Sequence, residues 1–209
     1  MATSAVITAD IVNSTLLPKP EAKRLMKNLL AVIEPYDHEF FRGDSFQVFV
    51  RSSSEALTVL LVLRTVAIKL LPAAVVPLSD IRASIGLANV KLPLKSLKTA
   101  SGEAFVLSGR AFDKMNAGQR LAISCTEKNH IANLGLNVVA RFADYLFQRL
   151  TPKQAAVVFE LLQKRTQTET ARRLKKSQAT IHKHTQSAGW PEIEKLLSDY
   201  QLLINTIQP

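Results

Sequence analysis

The stretch Glu39-Phe-Phe-Arg-Gly-Asp-Ser-Phe-Gln-Val-Phe-Val50 sets two apolar segments, 39–41 and 45–50, on either side of Gly43-Asp44. Apolar runs joined through Gly-Asp read as a β-hairpin, because the glycine supplies the backbone freedom that a tight reversal needs. This hairpin constrains the fold more than any other feature, since segments of helical periodicity stand before and after it. Before it, Pro18-Lys-Pro20 precedes a helix in which Ala22, Leu25, Met26, Leu29 and Ile33 share one face; Pro35 ends it. After it, Ser52-Ser-Ser-Glu55 caps a long apolar helix ending near Leu71, and 72–77 is a loop. Residues 5–11 form a strand with Asp10 at its carboxyl end, closed by a turn at Asn13-Ser-Thr15. Residues 80–88 return as a strand with Ile81, Ala83 and Ile85 on one face. Ser101-Gly-Glu-Ala104 opens a helix through Arg110 and Met115, 121–125 is a last short strand, and Thr126 caps a helix through Leu150. This order predicts an α/β or α+β fold on a ferredoxin-like βαββαβ core, occupying residues 1–149.

Residues 150–209 read as a small all-α unit. Thr151-Pro152-Lys-Gln154 starts a scaffold helix whose apolar face is Ala155, Val158, Leu161 and Leu162. Thr166 and Glu169 have the spacing of a capping box, Ala171 is small where a crossing helix needs close approach, and Leu174 follows. Ser177 caps a second helix whose inward residue is Ile181. Small residue, short turn and β-branched residue ten positions on make a helix-turn-helix. In that register Ser177, Gln178, Thr180, His182, Lys183 and Gln186 face a major groove, with Gln178 suited to adenine and Lys183 to guanine or phosphate. Arg172, Arg173, Lys175 and Lys176 surround the turn as phosphate contacts. His182 and His184 are polar groups on the DNA-facing helix rather than zinc ligands. Two features depart from the pattern: Lys175 stands where a turn glycine is usual, and Thr170, Lys176 and His184 occupy positions that are normally apolar. The competing reading is a solvated basic helical pair that only closes the fold. After Gly189-Trp190, Pro191 starts a last helix carrying Ile193, Leu196, Leu197, Leu203 and Ile204, which either packs back or offers a dimer surface.

Charge agrees with a polyanionic partner, here double-stranded DNA: 27 Lys and Arg stand against 17 Asp and Glu, a net +10 with a pI near 9.9. The single cysteine, Cys125, excludes an internal disulfide and fits a reducing compartment. Met1-Ala-Thr-Ser-Ala5 lacks a basic n-region, and the most apolar stretch, 56–71, is broken by Arg64 and Lys69. The expectation is a soluble cytoplasmic protein with no membrane partner.

Asp10 and Asp44 carry the front half's chemistry. A first strand beside the central hairpin brings both carboxylates to one sheet edge, where they suit a hard cation holding a triphosphate. The alternative is local: Asp10 caps a turn, and Asp44 sits in a Gly-Asp hairpin as Asp commonly does. Ile7-Thr-Ala-Asp-Ile-Val-Asn-Ser-Thr15 resembles the opening motif of class III nucleotidyl cyclases, and Arg42-Gly-Asp-Ser-Phe-Gln-Val-Phe49 resembles their second. Asp80-Ile-Arg-Ala-Ser-Ile-Gly86 and Gly102-Glu-Ala-Phe-Val-Leu-Ser-Gly-Arg110 are similar to their next strand and late helix, in collinear order over residues 5–125. The resemblance implies that Asp10, Asp44 and the carbonyl of Ile11 hold Mg²⁺ or Mn²⁺ with a nucleotide, and that Arg110 steadies the transition state. It also implies losses. Phe40 stands at the purine-selecting lysine, Val106 at the ribose-orienting asparagine, and Thr99 at a purine-reading acidic residue. Each lost donor costs about a hundred- to a thousandfold in rate, so the expectation is a nucleotide- or metal-sensing domain rather than an efficient cyclase. An active cyclase or other nucleotidyl enzyme is the alternative. A cyclase-like domain followed by a helix-turn-helix resembles, across most of the chain, the SatD-like family of bacterial DNA-binding proteins. That resemblance implies a transcriptional regulator, and two half-sites imply a homodimer.

Overall fold

The structure, a computed structural model, describes residues 3–41, 43–70, 79–92, 94, 97 and 102–207. In chain order it forms β1 (Ser4–Val12), α1 (Lys19–Ile33), β2 (Asp37–Phe41), β3 (Ser45–Val50), α2 (Ala56–Ile68), β4 (Asp80–Ala88) and α3 (Glu103–Asp113). Then follow β5 (Leu121–Cys125), α4 (His130–Phe147), α5 (Pro152–Leu162), α6 (Gln167–Leu174), α7 (Gln178–Ser187) and α8 (Trp190–Thr206). The strands order as β2-β3-β1-β4-β5, antiparallel except for the parallel pair β4–β5. This is a mixed α/β fold. The expected loop at 72–77 lies outside the described residues. Thr126 heads a short 3₁₀ turn, Glu127–Asn129, before α4 begins.

Period-two alternation assigns each sheet face its cover. Ala5, Ile7, Ala9 and Ile11 of β1 share a face with Val48 of β3 and Ile81, Ala83 and Ile85 of β4. Onto that face pack Leu25, Leu29 and Ile33 of α1, nearly all of α2, and Leu136, Ala140 and Phe147 of α4. The opposite face carries Val6, Phe49 and Ala88 under Ala104 of α3. There α3 comes so close to β4 that a Cβ on Gly86 would collide with the main chain of Ala104 and Ser108. Glycine is required at that position.

The apolar core does not stop at residue 149. Ala155, Val158 and Leu162 of α5 and Ile193, Leu196, Tyr200 and Ile204 of α8 join the cluster built on the sheet. The last helix packs back: the Tyr200 hydroxyl donates to the Ser53 carbonyl at 2.7 Å, and Leu203 lies against Gly135 of α4. Its apolar face is therefore spent inside the molecule.

α2 is buried around its circumference, as an apolar helix between a sheet and an outer helix must be. No helix among the described residues is long and apolar enough to cross a membrane. The charge that interrupts α2, Arg64, is fully buried and bidentate to Asp80, with Nε to Oδ1 at 3.0 Å and Nη2 to Oδ2 at 2.7 Å. Its Nη1 donates to Asp144 at 2.9 Å, and its guanidinium lies 5.4 Å from the Phe147 ring centre. Burial works against the charge, but the two carboxylates outweigh it and hold Arg64 protonated. Asp144 also accepts the Arg120 amide at 2.8 Å, fixing the entry to β5. Replacing Arg64 by leucine leaves two carboxylates without their cation. Urea unfolding of Arg64→Leu is expected to show a loss of about 3–5 kcal/mol.

Candidate functional site

The tail forms the helix pair with its caps in place. Thr166 Oγ1 accepts the Glu169 amide, and the Glu169 carboxylate accepts the Thr166 amide at 2.8 Å. These bonds hold the Glu169 carboxyl below the usual carboxylate range, the main-chain bond contributing most. Ser177 Oγ accepts the Thr180 amide at 3.1 Å and starts α7. Between the helices Lys175 takes the left-handed conformation, φ 52° and ψ 48°, that glycine would adopt without strain. Ala171 and Ile181 are buried with Val157 and Leu161 of α5, edged by Leu174 and Trp190. The inward set is the one the spacing gives.

The polar inward positions behave differently from one another. Thr170 is fully buried, and its Oγ1 has no hydrogen-bond partner among the described residues. Lys176 is exposed and His184 half-buried. Arg172, Lys175, Lys176, Ser177, Gln178, His182, Lys183 and Gln186 are exposed, and Thr180 is partly so. They form one polar, cationic surface over α7 and the turn. Gln178 Nε2 donates to Thr168 at 3.2 Å, tying the start of α7 to α6. Arg173 is less free: its Nε donates to the buried Glu160 carboxylate at 2.8 Å, which also takes Arg165 at 2.9 Å. Nothing in the helix pattern marked Glu160 for that role; only its position on an otherwise apolar stretch of α5 hints at a buried counter-ion.

In the front half Asp10 stands two residues before the end of β1, paired in register with Ser45 of β3 and Arg82 of β4. Asp44 lies in the hairpin turn; its carbonyl accepts the Ile11 amide at 3.2 Å, and its carboxylate accepts Ser14 Oγ at 2.7 Å. Ser14 follows Asn13, whose left-handed conformation turns the chain out of the sheet. Ile11, Ser14 and Asp44 share a pocket of about 300 Å³ with Thr15, Leu25 and Met26. The two carboxylates feel one another. Burial, opposed by Arg82 and reinforced by Asp44, pushes the Asp10 carboxyl up. Arg82 Nη1 lies 3.8 Å from Asp10, while Nη2 donates to the carbonyls of Phe112 and Met115 at the end of α3. Period-two alternation in Asp80-Ile-Arg was the available signal for that neighbour.

The remaining nucleotide positions differ in their placement. Phe40 pairs in register with Phe46 on the main-core face, ring centres 5.2 Å apart, whereas Asp10 is on the α3 face. Arg110 is exposed on α3. Thr99 lies outside the described residues. Among the described residues no group of three or more His, Cys, Asp or Glu converges. Two carboxylates and a hydroxyl are oxygen donors of the kind a hard cation that keeps water ligands takes. No family model matches the chain, and no curated protein matches it.

The raised Asp10 carboxyl has a consequence for stability. The folded state binds that proton more tightly than the unfolded chain, so the Asp10 contribution is fully present below the unfolded value of 3.8 and is lost as pH rises through the folded value. Asp10→Asn, measured with chelator present, is expected to melt higher than wild type near neutral pH. That advantage should vanish as pH falls below about 4.

Proposed function

We propose that the chain is a DNA-binding transcriptional regulator in which α7 enters the major groove and the turn at Lys175 lies on the phosphate backbone. The observation that carries the reading is the division of the α6–α7 pair. Ala171 and Ile181 are sealed against α5, while Gln178, His182, Lys183 and Gln186 on α7 are left to solvent beside Arg172, Lys175 and Lys176. A pair that merely closed the fold would need the inward residues but not this outward set. The net charge of +10 supplies the long-range attraction.

The front half serves, in this reading, as a nucleotide- or metal-sensing module of the cyclase-like kind. The order β2-β3-β1-β4 with α1 and α2 as crossovers is what a ferredoxin-like βαββαβ core has, and it supports that assignment. Asp10, Asp44 and the main chain at Ile11 would hold Mg²⁺ or Mn²⁺, and the cation would neutralise phosphate charge. Against efficient cyclisation stand Phe40, engaged with Phe46, and Val106, which offers no donor.

Selection from random duplexes, with and without Mg²⁺ and ATP or GTP, tests this directly. A recurring duplex motif is expected, with affinity changed by nucleotide; no enrichment, together with robust cyclic nucleotide formation, would overturn it. Lys183→Ala is expected to weaken the selected duplex and reduce the salt slope by about 1 if it meets phosphate. Gln178→Ala should cost about 1–3 kcal/mol at one base pair only. Lys175→Gly separates strain from charge: it should raise stability by about 1 kcal/mol in thermal unfolding and still weaken DNA binding.

A further inference from the structure

α8 has no apolar face to spare, but α4 does. Ile131, Leu134, Val138, Phe142 and Tyr145 are 83%, 55%, 68%, 40% and 54% exposed. Their spacing is three, four, four and three residues, so they form one narrow stripe along the 18-residue helix. The opposite side of α4, with Leu136, Val139, Ala140, Ala143 and Phe147, is buried in the main core, so the stripe points outward. Its exposed area is on the order of 600 Å², at the upper end of the largest apolar patch on a typical monomer and approaching the roughly 800 Å² per partner of a stable interface.

The stripe is also symmetric about its own middle. Counting outward from Val138, Leu134 and Phe142 each stand four residues away, and Ile131 and Tyr145 each stand seven. Eleven residues out on either side stand Glu127, exposed in the turn before α4, and Arg149, exposed after it and stacked 4.7 Å from Tyr145. A second copy laid antiparallel across Val138 thus meets Ile131 with Tyr145, Leu134 with Phe142, and Glu127 with Arg149, twice over. That is what an isologous two-fold contact requires. Antiparallel helices also place opposite dipole ends together.

We propose that two copies of this chain associate through α4, antiparallel, with Val138 at the two-fold axis. This goes beyond the DNA reading and holds whether or not the chain binds DNA; it names the surface that would set the distance between two α7 helices.

Sedimentation of the full chain from about 1 to about 300 µM tests it. Wild type is expected to show a monomer–dimer equilibrium, and Val138→Glu, which sets two carboxylates face to face, should weaken it at least about tenfold. Val138 is a surface position, so the variant should unfold at the wild-type temperature. Glu127→Arg should weaken the dimer several-fold, and adding Arg149→Glu should restore it. Val138→Cys should give a disulfide-linked dimer on mild oxidation, without competition from Cys125, which is buried. A wild type that stays monomeric throughout, or a Val138→Glu dimer of unchanged affinity, would overturn the proposal.

Discussion

The arginine enclosed by Asp80 and Asp144 joins three elements through one guanidinium. Arg64 comes from the middle of α2, Asp80 from the first position of β4, and Asp144 from the last turn of α4. A helix as uniformly apolar as α2 can rotate or slide at little cost in buried area. One guanidinium that must satisfy two carboxylates removes that freedom. Such a triad adds little net stability over well-packed hydrocarbon, but its geometry ties α2, β4 and α4 to one register. The arrangement reaches the candidate site. Asp80 pairs in register with Val12, and two residues along the same two strands Asp10 faces Arg82. A slip of β4 by one residue would turn Arg82 to the other face of the sheet.

α5 transmits that order to the tail. Ala155, Val158 and Leu162 belong to the core beneath the sheet, whereas Val157 and Leu161 belong to the cluster that holds Ala171 and Ile181. One helix of eleven residues is thus both the outer cover of α2 and the scaffold of the helix pair. At its start Gln154 Nε2 also donates to the carbonyl of Ser187 at the end of α7, at 3.0 Å. The sheet and α7 are therefore linked by packing through α5. The residue numbers at which one unit gives way to the next do not mark a break in the core.

Much of this was legible from local chemistry. Caps, prolines and periodicity located the elements, because Thr166 with Glu169 and Thr151 with Gln154 satisfy the same amides in the structure that their spacing promises. The two carboxylates came to one end of the sheet because a hairpin beside β1 leaves few other places for them. What escaped were partners distant in sequence. Arg64 read as an interruption of an apolar run, and nothing near it names residues 16 and 80 positions away. The side to which Phe40 turns depends on the register of β2 with β3, which a hairpin alone leaves open by one residue. The last helix could not be assigned because its apolar face suits an internal or an external partner equally.

Two lysines show what the tail retains at a cost. Lys164 after α5 and Lys175 after α6 both adopt left-handed backbone, at φ 59° and 52°, where glycine is the relaxed choice. Each carries a strain of roughly 1–2 kcal/mol. Thr170 between them adds a buried hydroxyl with no hydrogen-bond partner among the described residues. Elsewhere the chain spends glycine or asparagine on such positions, as at Gly189 and Asn13. A sequence agrees with its fold at every level except where a position has a second task. Exposed lysine at each of these two turns places a cation where glycine would place none, which agrees with the polyanionic partner proposed above.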